Sequence, residues 1–489
     1  MNTPLRRVAL AVMGMIVLLL ANATYIQVIK ADDYRSDQRN SRVLLEEYAR
    51  QRGQIIAGGT PIAQSAAVSD SRLRFQRQYP HGDVYAPVTG FYSVLYGAGG
   101  LEKTEDGVLN GSDDRLFFNG LSDLITGRDP RGGNVVTTID PRAQEAAFRG
   151  MNERGFRGAV VAIRPRTGEI LAMVSTPSYD PNQLASHAAP AQRDAWQAFN
   201  TGDRPLTNRA TRETYPPGST FKLVVTAAAL SSGDFDENTQ LPAQPVIQLP
   251  GTNVDLENFN GNPCGGGQTV PLKEALARSC NTAFAELTRM VGENRLRKQA
   301  ERFGIGQQNL TVPLPVAASS IGDINGDPAL MQSGIGQRDV RLTPLQNAMI
   351  AATIANGGER MAPHLVKELQ EPDFSKLDSI DPDRVERALD ARVAAKIRDM
   401  MIASEARTKG GGKIDGLTIA SKTGTAEHGD DPKATPPHGW YVAFAPAEDP
   451  QIAVAVVVEE GGDRGLEATG GSLAAPIGRA VIAAALSRQ

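Results

Sequence analysis

The chain has 489 residues, of which 41% are hydrophobic and 22% charged. That length exceeds one compact core, so two or three domains of ordinary globular composition are expected. A net charge of −4, with no long basic run beyond the first few residues, argues against a nucleic-acid partner. His81, His187, His364, His428 and His438 lack metal-ligand spacing, and no Gly-rich phosphate loop is present, so neither a metal nor a cofactor is expected.

At the N-terminus, Arg6 and Arg7 precede a charge-free apolar run, Val8 to Ile29. It is long enough to cross a bilayer as one helix, and the flanking arginines favour an N-in orientation. The expected layout is a cytoplasmic tail at 1–7 and a transmembrane helix at 8–29, the remainder lying outside. A cleaved signal peptide, with Ala21-Asn22-Ala23 as its cleavage site, is the alternative; a buried core helix would need a one-sided periodicity that is absent.

Residues 30–140 read as a small β-rich pedestal or dimerisation-like domain. Gly53 to Ile56 and Ala86 to Tyr92 are expected as short strands between turns. The β-rich run Asn134 to Asp140 closes it. The domain at 141–489 begins with Asp140-Pro141, a cap and first turn for a helix through Ala143 and Ala147. Gly158–Ile163 and Ile170–Val174, joined at Arg166-Thr167-Gly168, form a β-hairpin. The middle is helical, including Lys222–Leu230, Leu272–Met290 as one helix, and Pro344–Ala355. Three more strands follow at Leu417–Thr425, Gly439–Ala445 and Ile452–Val458, before a closing helix at Ala474–Leu486. Strands at both ends around a helical middle imply an α+β domain whose antiparallel sheet brings its two ends together.

Three short motifs lie along this domain, each weak alone. Ser219-Thr220-Phe221-Lys222 follows the breaker Tyr215-Pro216-Pro217-Gly218, which places Ser219 at a helix N-terminus. Lys222 lies one turn on, where a neutral amine can take the Ser219 proton; burial or a nearby cation would keep it neutral. Ser279-Cys280-Asn281 offers a hydroxyl relay and an amide for a substrate carbonyl. Lys422-Thr423-Gly424-Thr425 sits in a strand: Lys422 and Thr423 can hold a carboxylate, and Gly424 leaves room for an extended substrate along the strand edge. The backbone N–H groups of Ser219 and Thr425 are candidate oxyanion donors. The chain's two cysteines, Cys264 and Cys280, are either reduced core residues or, in an exported domain, a disulfide closing a Gly-rich loop beside Ser279 and Asn281; the disulfide is the expectation.

With this ordered motif set, plus Arg52-Gly53-Gln54-Ile55, Thr137-Thr138-Ile139-Asp140 and Gly334-Ile335-Gly336-Gln337, the chain resembles the class B penicillin-binding proteins, most closely their actinobacterial A branch. The resemblance implies a transpeptidase domain of the serine β-lactamase-like fold, a small N-terminal domain and a membrane anchor. It further implies that Ser219 attacks the penultimate D-Ala carbonyl of a peptidoglycan stem peptide, that an amine of a neighbouring stem takes the acyl group, and that β-lactams acylate the same serine. A SEDS-type membrane glycosyltransferase and division or elongation proteins are partners by resemblance only. The sequence departs from many relatives at Ala57-Gly58-Gly59, so contacts of the N-terminal domain do not carry over. That domain is also too short for a glycosyltransferase, which favours a monofunctional enzyme. Rival readings are a D,D-carboxypeptidase, a β-lactam-hydrolysing or -sensing protein, and a scaffold without chemistry.

Overall fold

The computed structural model describes residues 3–30, 48, 50–69, 73–116, 131–310 and 312–487. The larger part is organised on a five-stranded antiparallel sheet in the order Ala420–Ala426, His438–Ala445, Ile452–Val458, Gly158–Ile163, Ile170–Thr176. The early hairpin thus meets the late strands through the pairing of Ile452–Val458 with Gly158–Ile163. Both faces are covered, which explains why the inner strands are continuous apolar runs rather than alternating ones. Val160, Val454 and Val456 pack with helices Pro141–Asn152 and Gly470–Leu486. Val161, Ala453 and Val457 face helices Lys222–Ser232 and Pro344–Ala355. The expected start of the first helix holds: the Asp140 carboxylate accepts from Arg142 N at 2.9 Å and Ala143 N at 3.4 Å, with Pro141 in the first turn.

Two expected elements differ. Ala86 to Tyr92 is not a strand: Gly82–Thr89 is a buried two-turn helix, and only Tyr92–Ser93 pairs, with Gly97–Ala98. Pro87 lies inside that helix and cannot donate to Asp83 O. The Ser178 hydroxyl donates to that carbonyl instead, at 2.6 Å, so tertiary packing makes good the missing bond. The single helix expected over Leu272–Met290 is two, Leu272–Arg278 and Asn281–Val291, broken at Ser279.

The N-terminal part contributes Ile55–Ala57, Thr60–Ala67, Phe75–Gln78 and Asn134–Thr137 to a six-stranded sheet. Val366–Gln370 and Lys376–Ser379, from far along the chain, complete its other side. Thr138 fastens the two sheets together: its hydroxyl donates to Ile170 O at 2.7 Å and its N–H to Leu365 O at 2.9 Å. Apart from these sheets, Thr3–Thr24 is an α-helix continued by a π-turn to Ile29, long and apolar enough to span a membrane. None of its residues is buried, which removes the core-helix reading.

Arg52 and Arg77 explain how the small domain coheres. Both guanidiniums clamp the fully buried Glu102 carboxylate at 2.6 Å, and Tyr79 donates to it at 3.1 Å. Arg77 also donates to Gly53 O at 2.6 Å, and Arg52 lies over the Tyr92 ring. Burial alone would raise the Glu102 carboxyl; the Arg77 and Arg52 charges outweigh it and hold the group below its ordinary 4.5. Glu102→Ala leaves the buried Arg77 without a carboxylate and Arg52 with only the partly exposed Asp106, 2.6 Å away, and we expect a loss of about 3–5 kcal/mol in unfolding free energy, measured by denaturant titration. Since the folded-state value is depressed, this contribution is present above the ordinary carboxylate range and disappears as pH falls through the folded value. A wild-type stability profile that tracks the variant's at neutral pH would exclude it.

Candidate active site

Tyr215 to Lys222 forms a turn pinned from several sides. Trp440 Nε1 donates to Pro216 O at 2.9 Å, and the Tyr215 hydroxyl donates to Glu459 at 2.6 Å, which also receives Arg209. Gly218 N donates to Gly336 O at 3.0 Å. Gly218 has a φ of 53°, and a Cβ there would stand 2.7 Å from Thr425 O, so only glycine lets the turn close on the edge strand. Gly218–Phe221 is a 3₁₀ turn with half-buried Ser219 in its middle, and the α-helix begins at Lys222.

The Lys222 amine is fully buried. It donates to Asn281 Oδ1 at 2.7 Å, Ser279 O at 2.8 Å and Ser279 Oγ at 3.4 Å, with the Phe284 ring 5.5 Å away. Lys422, also fully buried, donates to the same Ser279 hydroxyl at 2.8 Å and to Thr423 O at 2.8 Å. One serine hydroxyl therefore touches two lysine amines. Burial, then the nearby Lys422 charge, pushes the Lys222 amine well below its ordinary range. Burial alone pushes Lys422 down to about 7. All three polar contacts of the Lys222 amine are with the second motif, two of them as donor once the amine is neutral, and Ser219 Oγ forms no hydrogen bond among the described residues.

Ser279 reaches both amines because it breaks the helix. Its φ of 63° is left-handed, which turns its carbonyl and hydroxyl toward Lys222, and the next helix restarts at Asn281. Asn281 Nδ2 donates to Glu257 O at 2.9 Å, fixing which amide atom faces Lys222. Cys280 between them is joined by a disulfide to Cys264, with the Cα atoms 5.7 Å apart and both residues buried.

The third motif lies on the sheet's edge strand, Ala420–Ala426, with only His438–Ala445 as a neighbour. Thr423 and Thr425 are half-buried there. The smallness of Gly424 also admits the Ser219 turn, since a Cβ would meet Pro217 O at 2.7 Å and Thr220 Cγ2 at 3.1 Å. Gln337, with its amide oriented to satisfy both groups, exchanges bonds of 3.1 and 3.2 Å with the backbone of Glu427, just past the motif. His428 and His438 stack at 3.8 Å beyond it. His438 Nδ1 accepts from Glu460 N at 3.1 Å, and burial followed by the neighbouring cationic side chains pushes it down to about 3, so it stays neutral.

The comparisons agree with this geometry. The model of the penicillin-binding protein transpeptidase domain matches residues 158–483, and that of the penicillin-binding protein A dimerisation domain matches residues 52–135. The chain belongs to the penicillin-binding proteins. Within the family, it is 58% identical to the peptidoglycan D,D-transpeptidase PbpA of Mycolicibacterium smegmatis, over 99% of both chains. It is 56% identical to PbpA of Mycobacterium tuberculosis, again over 99% of both. A solved ceftriaxone acyl-enzyme complex of penicillin-binding protein A from M. tuberculosis has 55% identity and a TM-score of 0.89, covering 91% of this chain and 100% of the other. The penicillin G acyl-enzyme complex gives 54% and 0.86, over 90% and 100%.

Among the groups around the site, sequence reasoning had not singled out Phe284 below Lys222, Asn347 behind Thr220, or Glu405. Glu405 accepts from Ser421, Tyr441 and Arg479 and so ties the third-motif strand to the C-terminal helix. A buried charge or amide inside an apolar stretch was the available signal. The Cys264–Cys280 bridge closes a loop with a sequence separation of 16, for which chain entropy gives about 3 kcal/mol. Replacing both cysteines by serine should lower unfolding free energy by about that amount. Thiol titration under denaturing, non-reducing conditions should find no free thiol in the exported wild type.

Proposed function

We propose that this chain is a peptidoglycan D,D-transpeptidase that crosslinks stem peptides through a serine acyl-enzyme and is inhibited by β-lactam acylation of the same residue. The observation that carries it is the buried cluster in which Lys222 and Lys422 converge on the Ser279 hydroxyl beside the Ser219 turn. Ser219 Oγ attacks the carbonyl between the two terminal D-Ala residues. Lys222, kept neutral by burial and by Lys422, takes the serine proton. The oxyanion is held by the N–H groups of Ser219 and Thr425. Ser279 passes the proton to the leaving amine, the peptide C–N bond breaks, and D-Ala departs. An acceptor stem's amine then attacks the ester, giving up a proton as Ser219 recovers its own. Asn281 orients a substrate amide, while Lys422 and Thr423 hold the terminal carboxylate and Gly424 and Thr425 offer the strand edge. No step calls for a metal or cofactor.

The same reading places 1–7 in the cytoplasm and anchors the chain through 8–29. Residues 30–140 form the pedestal, into whose sheet the Val366–Ser379 segment reaches back, and 141–489 form the transpeptidase domain. A partner glycosyltransferase of the SEDS type, with division or elongation proteins, would supply the strands to be crosslinked.

Fluorescent penicillin should label the wild type stably and Ser219→Ala not at all; rapid loss of label would point to a β-lactam hydrolase. A donor–acceptor peptide assay should yield crosslinked product, whereas release of D-Ala alone would mark a carboxypeptidase. Lys422→Gln removes the cation that depresses Lys222, so the Lys222 value rises and less of it is neutral at a given pH. Beyond any fall in rate, the acid limb of the penicillin acylation profile should therefore move to higher pH; an unmoved limb would remove Lys222 as the base.

A further inference from the structure

We propose that Asn347 is a positioning residue for the acylation step, acting through Thr220 on the turn that carries Ser219. Helix Pro344–Ala355 is apolar along most of its length and buried throughout its central turns. Asn347 stands in it at 1% exposure, with its Oδ1 buried and without a hydrogen-bond partner. Stability alone disfavours that choice, since an unsatisfied buried carbonyl is destabilising and an isosteric leucine would avoid it. The other end of the amide accounts for the residue. Its Nδ2 donates to Thr220 Oγ1 at 3.0 Å. An amide nitrogen can only donate, so the Thr220 proton is directed away from it, and the hydroxyl donates to Pro217 O at 2.9 Å.

This chain of two bonds closes the turn across its own base. Thr220 lies directly after Ser219, and Pro217 O is the atom that a Cβ at Gly424 would strike. Asn347 therefore sets the direction of the hydroxyl that closes the Pro217–Thr220 turn, which lies directly against Gly424 of the third-motif strand. Without the amide, the Thr220 hydroxyl is free to rotate, Pro217 O keeps only the long 3.4 Å bond from Thr220 N, and the Ser219 Oγ and N–H sample wider positions. Neither Asn347 nor Thr220 is exposed to the cleft. The loss should appear in the chemical step rather than in substrate affinity.

The inference rests on Ser219 being the nucleophile, which the Ser219→Ala labelling tests independently. The limiting acylation rate and the half-saturating penicillin concentration are measured on the full-length, detergent-solubilised protein. The variants are Asn347→Leu, Thr220→Val and the double substitution, each with its melting temperature. Each single variant should acylate about tenfold more slowly at unchanged half-saturation, as expected for one hydrogen bond of alignment. The double variant should be no slower than the slower single, because both act on the same bond. A double variant about a hundredfold slower, the product of the two effects, would overturn the proposal. So would a normal rate in Asn347→Leu, whether or not its melting temperature falls. If Asn347→Leu does not fold, Thr220→Val decides: a normal limiting rate there overturns it, and a slowed one at unchanged half-saturation upholds it.

Discussion

Two lysine amines stripped of water and sharing one serine hydroxyl are the constraint on which this molecule is built. Burial pushes both amines below their usual range, and for Lys222 the nearby Lys422 charge adds to the effect. Such a site holds only if the backbone around it cannot relax. The Lys222 amine is surrounded by three second-motif atoms, the Ser279 backbone is held in the left-handed region, and the adjacent Cys280 is bonded to Cys264. The surrounding fold supplies the stiffness through a sheet packed on both faces and a buried carboxylate, Glu405, behind the strand that carries Lys422.

Close backbone approach is the second element of that stiffness. The Ser219 turn lies wedged between Gly336 and the edge strand. A Cβ at Gly336 would come within 2.0 Å of Gly218 O, and one at Gly424 within 2.7 Å of Pro217 O. The glycines of three separate motifs thus meet at one turn, which is why their spacing along the chain is large while their joint presence is informative. At Gly424 the missing side chain makes room for that turn, a requirement that the motif alone does not reveal.

Much of this was legible before the coordinates. The central sheet announced itself through apolar runs at both ends of the larger domain, and Asp140-Pro141 marked its helix because capping is a local property. The three motifs were legible because each is short. What remained hidden depended on distant partners. Ala86 to Tyr92 reads as a strand until Ser178 is known to satisfy Asp83 O. Leu272 to Met290 reads as one helix because no glycine or proline marks the break, and the left-handed Ser279 is held there by contacts from Lys222 and the Cys264 bridge. Glu102 gave no periodic signal, since its role comes from two arginines 50 and 25 residues away.

The same logic separates the two kinds of buried polar group in this chain. Glu102 and Glu405 are fully engaged, each with an arginine and a tyrosine, and their worth is structural: they join segments far apart in the sequence. Asn347 is only half engaged, and a half-satisfied amide in an apolar helix is a poor structural device. Its one bond points at Thr220, the residue following Ser219, so on the proposed reading it serves alignment at some expense of stability. The N-terminal pedestal and the active site are therefore built by opposite uses of the same chemistry, full pairing where cohesion is needed and a single directed bond where a hydroxyl must keep its heading.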